Sequence, residues 1–304
     1  MTEKNLPKII VIIGPTASGK TAVAVDLAHT FNGEIISADS RQVYNDMDIG
    51  TGKDLAEYGQ GKNAVPYHLI DVASPRKQFS VGRHQKMAYT AIKQILKRER
   101  LPIIVGGTGL YVRAIVEGLS FPKSKPNVKL RSKLAKLSLE ELCARLKKLD
   151  PKIISEIDMK NRRRVERAIE ICETTGVPLS EQRKKNPPPY EFLEIGLDVP
   201  REELYKKIEK RLDERLRDGM IKEVENLREQ GISWKRLDDF GLEYRYVSRF
   251  LHGDLTTEQM RAGLLHAICD FAKRQMTWFK KDKQIVWVSD KTKIKDLVSG
   301  FLAK

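Results

Sequence analysis

Lys8-Ile9-Ile10-Val11-Ile12-Ile13-Gly14-Pro15-Thr16-Ala17-Ser18-Gly19-Lys20-Thr21 is the stretch that decides the fold. Its first six residues form a short apolar run stopped by Gly-Pro, the pattern of a buried strand. Gly14 to Thr21 then match G-x-x-x-x-G-K-[ST] with no departure, and a helix is expected from Gly19 to about Phe31. Glycines let such a backbone wrap around phosphate oxygens, with its N–H groups and the positive end of the helix facing the anion. Lys20 adds a point charge, and the Thr21 hydroxyl is a candidate Mg²⁺ ligand. The loop therefore implies a diphosphate or triphosphate, without saying that it is a nucleotide.

Working outward, Glu34–Ala38 (EIISA) reads as a second strand, Tyr67–Val72 (YHLIDV) as a weaker third and Pro102–Val105 (PIIV) as a fourth, with a helix over Ser80–Arg100. Strands alternating with helices predict a parallel α/β sheet of P-loop NTPase type, with ligands at the carboxyl ends of its strands. Asp39 and the Gly106-Gly107-Thr108-Gly109 turn fall at such ends. From Asn127 to Lys185 no strand is evident. Ser138 with Glu141 makes a capping box, Asp150-Pro151 reads as an N-cap with proline at N1, and Gly176 closes a helix over Asn161–Thr175. After Asn186-Pro187-Pro188-Pro189 strand character returns in Leu193–Val199 and again in Gln284–Val288, separated by long helices expected over about Arg201–Gln230 and Thr256–Lys281. The predicted organisation is an α/β core of residues 1–119 and 191–304, interrupted by an all-helical domain over 120–190.

The 304 residues carry 56 Lys+Arg and 41 Asp+Glu, a net charge of +15. Residues 123–190 hold 18 basic and 9 acidic side chains, so this one segment contains more than half of the excess. A basic field of that kind attracts a polyanion; its plainer reading is the solvated face of a helical domain. The three cysteines Cys143, Cys172 and Cys269 are widely spaced, form neither a disulfide framework nor a zinc pattern, and fit a reducing cytoplasm. No apolar run reaches the ~20 residues of a membrane span, and the N-terminus lacks the apolar region of a signal peptide. A phosphoryl-transfer enzyme adds a strand-end Asp for Mg²⁺, for which Asp71 and Asp39 are the two candidates. No Asn/Thr-Lys-x-Asp segment is present, which argues against a GTP switch.

Five blocks in this order, GPTASGKT (14–21), IISADSRQVY (35–44), DIGTGK (48–53), VGGTGLY (105–111) and KRQMTWFK (273–280), resemble the tRNA dimethylallyltransferases, or tRNA isopentenyltransferases. The resemblance covers nearly the whole chain. It implies transfer of a dimethylallyl group from dimethylallyl diphosphate to N6 of adenosine 37 in the tRNA anticodon stem-loop, with Mg²⁺ assisting and diphosphate leaving. By the same resemblance Asp39 is the general base, and Lys20 and Arg211 stabilise the leaving diphosphate in the cradle of Gly14 to Thr21. Arg215, one turn later, competes with Arg211, and capping of the next turn competes as a role for Asp39. The tRNA contacts it implies are Asp39, Ser40, Arg41 and Gln42 at the target base, Thr108 and Arg131, and Lys160, Asn161, Arg162, Arg163 and Arg164 in the insertion. The segment Phe240, Gly241, Leu242, Glu243, Tyr244 and Arg245 departs from the family, because Glu243 stands where a glycine is usual. A carboxylate there repels RNA phosphate unless it is paired. The ending soon after the last strand, with no zinc-binding extension, suggests the compact bacterial type; a monomer without an obligate protein partner is expected.

Three other readings compete. A prenyltransferase acting on free AMP, ADP or ATP shares the core motifs but needs no basic insertion. A P-loop small-molecule kinase uses the loop and Asp71 but leaves IISADS, GGTGLY and the insertion unexplained. A non-catalytic RNA-binding protein does not need Lys20-Thr21 together with Asp39.

Overall fold

The computed structural model describes residues 6–122, 124 and 126–304. Strand β1, Lys8–Ile13, has no polar residue after Lys8 because both of its faces are covered: Ile9 to Ile13 are completely buried. It lies inside a parallel sheet with β2 Gly33–Ser37, β3 Tyr67–His68, β4 Leu101–Gly106, β5 Glu191–Leu197 and β6 Val286–Val288, in the order β3-β2-β4-β1-β5-β6. The two neighbours of β1 are β4 and β5, so the chain leaves β1 in one direction and returns on its other side. That makes the carboxyl end of β1 a topological switch point, where open α/β sheets bind ligands.

The alternation of β1 sorts its side chains into two layers. Ile9, Val11 and Ile13, with Ile36 and Ile104, pack on helices α2 (Val81–Lys97) and α3 (Gly109–Val116) through Ala88, Ile92, Val112 and Ile115. Ile10 and Ile12, with Ile35 and Ile103, pack on α1 (Lys20–Thr30) and the C-terminal α13 (Ile294–Ala303) through Leu27, Ile294 and Val298. A further core joins Val43, Tyr44 and Met47 to α8 (Arg201–Arg217), α9 (Met220–Glu229), α10 (Trp234–Phe240), α11 (Leu242–Leu251) and α12 (Thr257–Phe279). The sheet flanked by helices is the predicted P-loop-like architecture.

The chain divides into two units, one of residues 1–116 and 189–304 and the other of Glu117–Pro188. The second contains α4 (Val128–Leu134), α5 (Leu139–Leu149), α6 (Arg162–Thr175) and α7 (Leu179–Gln182), around a core that includes Leu134, Leu142, Leu146, Val165 and Ile169. The capping box of Ser138 and Glu141 is formed, and Gly176 ends α6 with φ 71°.

Three expected elements differ. The helix expected over Arg201–Gln230 is two helices, because Gly219 takes φ 103° between α8 and α9. The strand expected over Tyr67–Val72 stops at His68: Leu69 and Asp71 adopt φ 67° and 55°, which no strand accommodates. The helix expected after Asp150-Pro151 is one turn of 3₁₀ helix, Lys152–Ser155, with Pro151 and not Asp150 at its N-cap, although Asp150 Oδ1 accepts the Ile153 N–H at 3.2 Å. No helix among the described residues is long and apolar enough to cross a membrane.

Candidate active site

Register brings the site together. Ile13 pairs with Gly106, and Ser37 with Val105, so β1, β2 and β4 end at one level. The phosphate loop, the segment holding Asp39 and the Gly106–Gly109 turn therefore emerge side by side. Their approach is close enough that a Cβ on Gly106 would lie 2.2 Å from the Ala38 carbonyl oxygen. Gln275 of α12 ties two of the three: its Oε1 accepts the Thr16 N–H, and its Nε2 donates to the Gly107 carbonyl, both at 2.8 Å.

Within the loop, Ala17 (φ 60°) and Gly19 (φ 81°) occupy the left-handed region, the turn that points successive N–H groups into one concavity. Lys20 folds back across this concavity, its Nζ donating to the Pro15 carbonyl at 2.6 Å. Burial pushes the Lys20 ammonium down to about 7, the positive charge of Arg211 adds to the effect, and Asp39 opposes it. Lys20, Arg211 and Asp39 thus lie within electrostatic reach of one another. Ser18 is buried, and its Oγ has no partner among the described residues. Thr21 stands in the first turn of α1, half-buried.

Asp39 is fixed through one oxygen. Its Oδ1 accepts the N–H groups of Arg41 (2.8 Å) and Gln42 (3.4 Å), and its Oδ2 has no hydrogen bond among the described residues. Capping and a chemical role are therefore compatible. Ser40 donates its N–H to Thr108 Oγ1 at 3.1 Å, which ties this turn to the one after β4. Gln42 is a strut: its Oε1 accepts from Ser37 Oγ and its Nε2 donates to the Gly52 carbonyl, both at 3.0 Å. Arg41 sits 5.6 Å from the Phe240 ring centroid. The alternative carboxylate, Asp71, forms an ion pair with Lys53, which is buried and also donates to the Tyr44 carbonyl at 2.8 Å. Asp71 is a structural counter-ion.

From α8, Arg211 and Arg215 reach the same place, against the backbone of Gly52. They line a small pocket with Thr16 and Ala17 of the phosphate loop and with Glu243. Arg211 pairs with Asp54 at 3.4 Å and Arg215 with Glu243 at 3.6 Å. The unusual Glu243 is paired, and it is paired inside the protein. Its neighbours Phe240 and Tyr244 are core side chains, 2% exposed, and Tyr244 Oη donates to Glu223 at 2.7 Å. The expectation that these two contact tRNA is corrected by their burial. Gly241 alone links α10 to α11, whose first residue is Leu242, and Arg245 donates to the Asp238 carbonyl at 3.0 Å.

In the helical unit, Arg131 donates from Nε (2.7 Å) and Nη2 (2.9 Å) to Glu170, whose carboxylate is 1% exposed. Asn161 caps α6, and Arg162 bonds Glu166 at 2.7 Å and the Leu134 carbonyl at 3.0 Å. Lys160, Arg163 and Arg164 are exposed.

Sequence reading missed Gln275 and the Arg215–Glu243 pair as parts of the site. Gln275 lies within KRQMTWFK, and Glu243 was conspicuous as a departure, so both left a signal but no indication of a partner. Among the described residues no group of three or more His, Cys, Asp or Glu side chains could hold a metal ion. One hydroxyl beside a phosphate loop fits a Mg²⁺ ion that arrives with a diphosphate and keeps several waters.

The IPP transferase family model matches residues 42–282, and the isopentenyl transferase model matches residues 7–73. The chain is 45% identical over 280 residues to tRNA dimethylallyltransferase 2 of Citrifermentans bemidjiense, covering 92% of this chain and 89% of that one. It is 43% identical over 303 residues to tRNA dimethylallyltransferase 1 of Syntrophus aciditrophicus, covering 98% and 99%. The crystal structure of the tRNA isopentenylpyrophosphate transferase of Bacillus halodurans aligns with a TM-score of 0.70 at 35% identity, covering 97% of this chain and 95% of that one.

Proposed function

The chain belongs to the IPP transferase family, and from that premise we propose that it transfers the dimethylallyl group of dimethylallyl diphosphate to N6 of adenosine 37 of tRNA, releasing diphosphate. The observation that carries the reading is that the phosphate loop with Lys20 and the turn holding Asp39 emerge side by side at the carboxyl edge of the sheet, and that Arg211 lines a pocket with Thr16 and Ala17 of the same loop. A diphosphate site and a carboxylate stand together there, as prenyl transfer to an amine requires.

The exocyclic amine is a weak nucleophile and becomes acidic only as the new C–N bond forms. Asp39, held through Oδ1, offers Oδ2 to take that proton. As the bond between the allyl carbon and the diphosphate breaks, negative charge grows on the leaving oxygens. The loop N–H groups, Lys20 and Arg211 are already arranged to receive it. Thr21 would hold a Mg²⁺ ion, which when bound supplies further charge to the diphosphate. Ser40 and Thr108 keep the Asp39 turn in place beside the diphosphate. Adenosine 37 must leave its stack to reach this carboxylate. The exposed Lys160, Arg163 and Arg164, in a segment of net charge +9, supply phosphate contacts for the anticodon stem-loop. We propose further that it acts as a monomer in the cytoplasm, the compartment that the widely spaced cysteines fit.

The test offers purified protein, Mg²⁺ and radiolabelled dimethylallyl diphosphate to an unmodified anticodon stem-loop bearing A36-A37-A38, or to free AMP. Label in the stem-loop, abolished when A37 becomes G, is the expected result. Label in AMP alone moves the acceptor to a free nucleotide, and label in neither removes the proposal.

A further inference from the structure

Arg211 and Arg215 are one turn apart on α8 and point into the same pocket, where two like charges repel unless something balances them. The crowding is severe: a Cβ on Gly52 would lie 2.0 Å from Nη2 of Arg211 and 1.6 Å from Nη2 of Arg215. Each guanidinium has a carboxylate, but neither pairing is complete. Glu243 stays 3.6 Å from Arg215 Nη1, beyond hydrogen-bond length, and Arg215 Nη2 is buried with no partner among the described residues. Nε of Arg211 is likewise buried and unpartnered. Buried guanidinium donors left without acceptors are costly and uncommon. Both arginines line the pocket together with Thr16 and Ala17 of the phosphate loop.

We propose that Arg215 is a second diphosphate-binding arginine beside Arg211, and that Glu243 is the counter-ion that holds it until diphosphate enters and then gives it up. This deepens the reading of the site as a prenyl diphosphate pocket and rests on it. The hand-over follows from geometry. A carboxylate at 3.6 Å supplies charge without a directed bond, so a diphosphate oxygen that offers the bond displaces it. Glu243 suits that role because its side chain is only 13% exposed, and burial to that degree penalises the charged form, which makes it a weakly held partner. Arg215 is also more than a solvated helix charge: its side chain is 11% exposed, whereas Lys210 on the same helix is 79% exposed. The family's glycine position and the paired arginine are thereby explained together, since a charge introduced on α11 is matched by one on α8.

The experiment is calorimetric titration of inorganic diphosphate with Mg²⁺ into the wild-type chain, Arg215→Met and Glu243→Gln, with binding of the anticodon stem-loop measured in parallel. Arg215→Met is expected to weaken diphosphate binding about 10-fold or more, the usual size of a lost hydrogen bond to a charged group. Glu243→Gln is expected to tighten it several-fold, because a competing carboxylate is gone. Stem-loop affinity should not move in either. Unchanged diphosphate affinity in Arg215→Met overturns the assignment. Weakening in Glu243→Gln overturns the hand-over, because the carboxylate then positions Arg215 in the bound state too. Should Arg215→Met fail to fold, the double variant Arg215→Met/Glu243→Gln leaves no unpaired charge. Compared with Glu243→Gln alone it must still lose about 10-fold. A wild-type chain that neither binds dimethylallyl diphosphate nor transfers its prenyl group removes the underlying reading. A wild-type chain that does both, with an unaltered Arg215→Met, removes only this inference.

Discussion

Gln275 Oε1 accepts the backbone N–H of Thr16 at 2.8 Å, across 259 residues of sequence. Its Nε2 donates to Gly107, so one buried amide sets the distance between the phosphate loop and the turn after β4. Gln275→Leu removes both bonds and leaves a buried carbonyl without its donor, at a cost of about 1–3 kcal/mol. The loop should then wander, and KM for dimethylallyl diphosphate should rise by roughly 10-fold with KM for tRNA little changed. Steady-state kinetics in both substrates checks this; a fall in Vmax with both KM values unchanged would show loss of folded enzyme instead.

His84 makes stability depend on pH. Its Nε2 lies 2.9 Å from the Ser37 carbonyl, two residues before Asp39, while Nδ1 is buried with no partner among the described residues. Burial pushes its imidazole down to about 4, and the Ser37 carbonyl and Asp39 only partly oppose that. Between the ordinary value near 6.5 and about 4, the unfolded chain takes up a proton that the folded chain refuses. The stabilisation is complete above pH 6.5 and drains away as pH falls through 4. Roughly 2–3 kcal/mol should be lost between pH 7 and 4.5 from this group. Urea denaturation at the two pH values, wild type against His84→Gln, isolates it: the variant should lose less over this interval.

Arg131 and Arg164 of the helical unit differ in their surroundings, so their variants should fail differently. Arg131→Ala leaves Glu170, 1% exposed and held well down at about 2 by its hydrogen bonds to Arg131, Asn127 and Arg167 against the cost of burial, short of its fork partner. About 2 kcal/mol of stability should go with it, since a buried charge loses a partner that is itself half exposed. Arg164→Ala, on an exposed side chain, should leave melting unchanged and weaken stem-loop binding uniformly across sequences, lowering the salt slope by about one. Thermal melts and salt titrations of both variants decide it; a stable Arg131→Ala with poor RNA binding reverses the assignment.

The legibility of this chain followed the range of the interactions. β1, the phosphate loop, β2, β4 and the caps at Ser138 and Gly176 are set by apolar runs, glycines and local hydrogen bonds, so their sequence patterns were sufficient. Gly219 breaks α8 from α9 by a single positive φ inside an otherwise helical pattern, which periodicity reads through. Tyr67–Val72 has the composition of a strand, yet Leu69 and Asp71 take left-handed φ, and the partner of Asp71 is Lys53, 18 residues away. The same distance effect governs the site. Asp39 and Lys20 stand out within their own motifs, whereas the partners of Arg131, Arg215 and Gln275 come from elements far along the chain. Phe240 and Tyr244 were placed at the RNA surface by position in a motif and are in fact core, a matter of packing that the motif does not encode.

Asp39 and Asp71 are the two carboxylates that the sequence offers as strand-end acids, and their variants should fail in different ways. Asp39→Asn keeps an oxygen for the Arg41 and Gln42 N–H groups, so the turn should stand and the stem-loop should still bind. What it loses is the acceptor for the N6 proton. Turnover should therefore fall by roughly 10²-fold or more, with both KM values close to wild type. Asp71→Asn touches no reacting group. It strips a charge from Lys53, whose ammonium is buried among Asp48, Asp71 and the Tyr44 carbonyl, so it should lower stability by about 1–3 kcal/mol while the folded fraction turns over normally. Single-turnover transfer and urea denaturation of the two variants test the contrast. If Asp39→Asn transfers the prenyl group at the wild-type rate, the proton goes elsewhere and the assignment of Asp39 is lost.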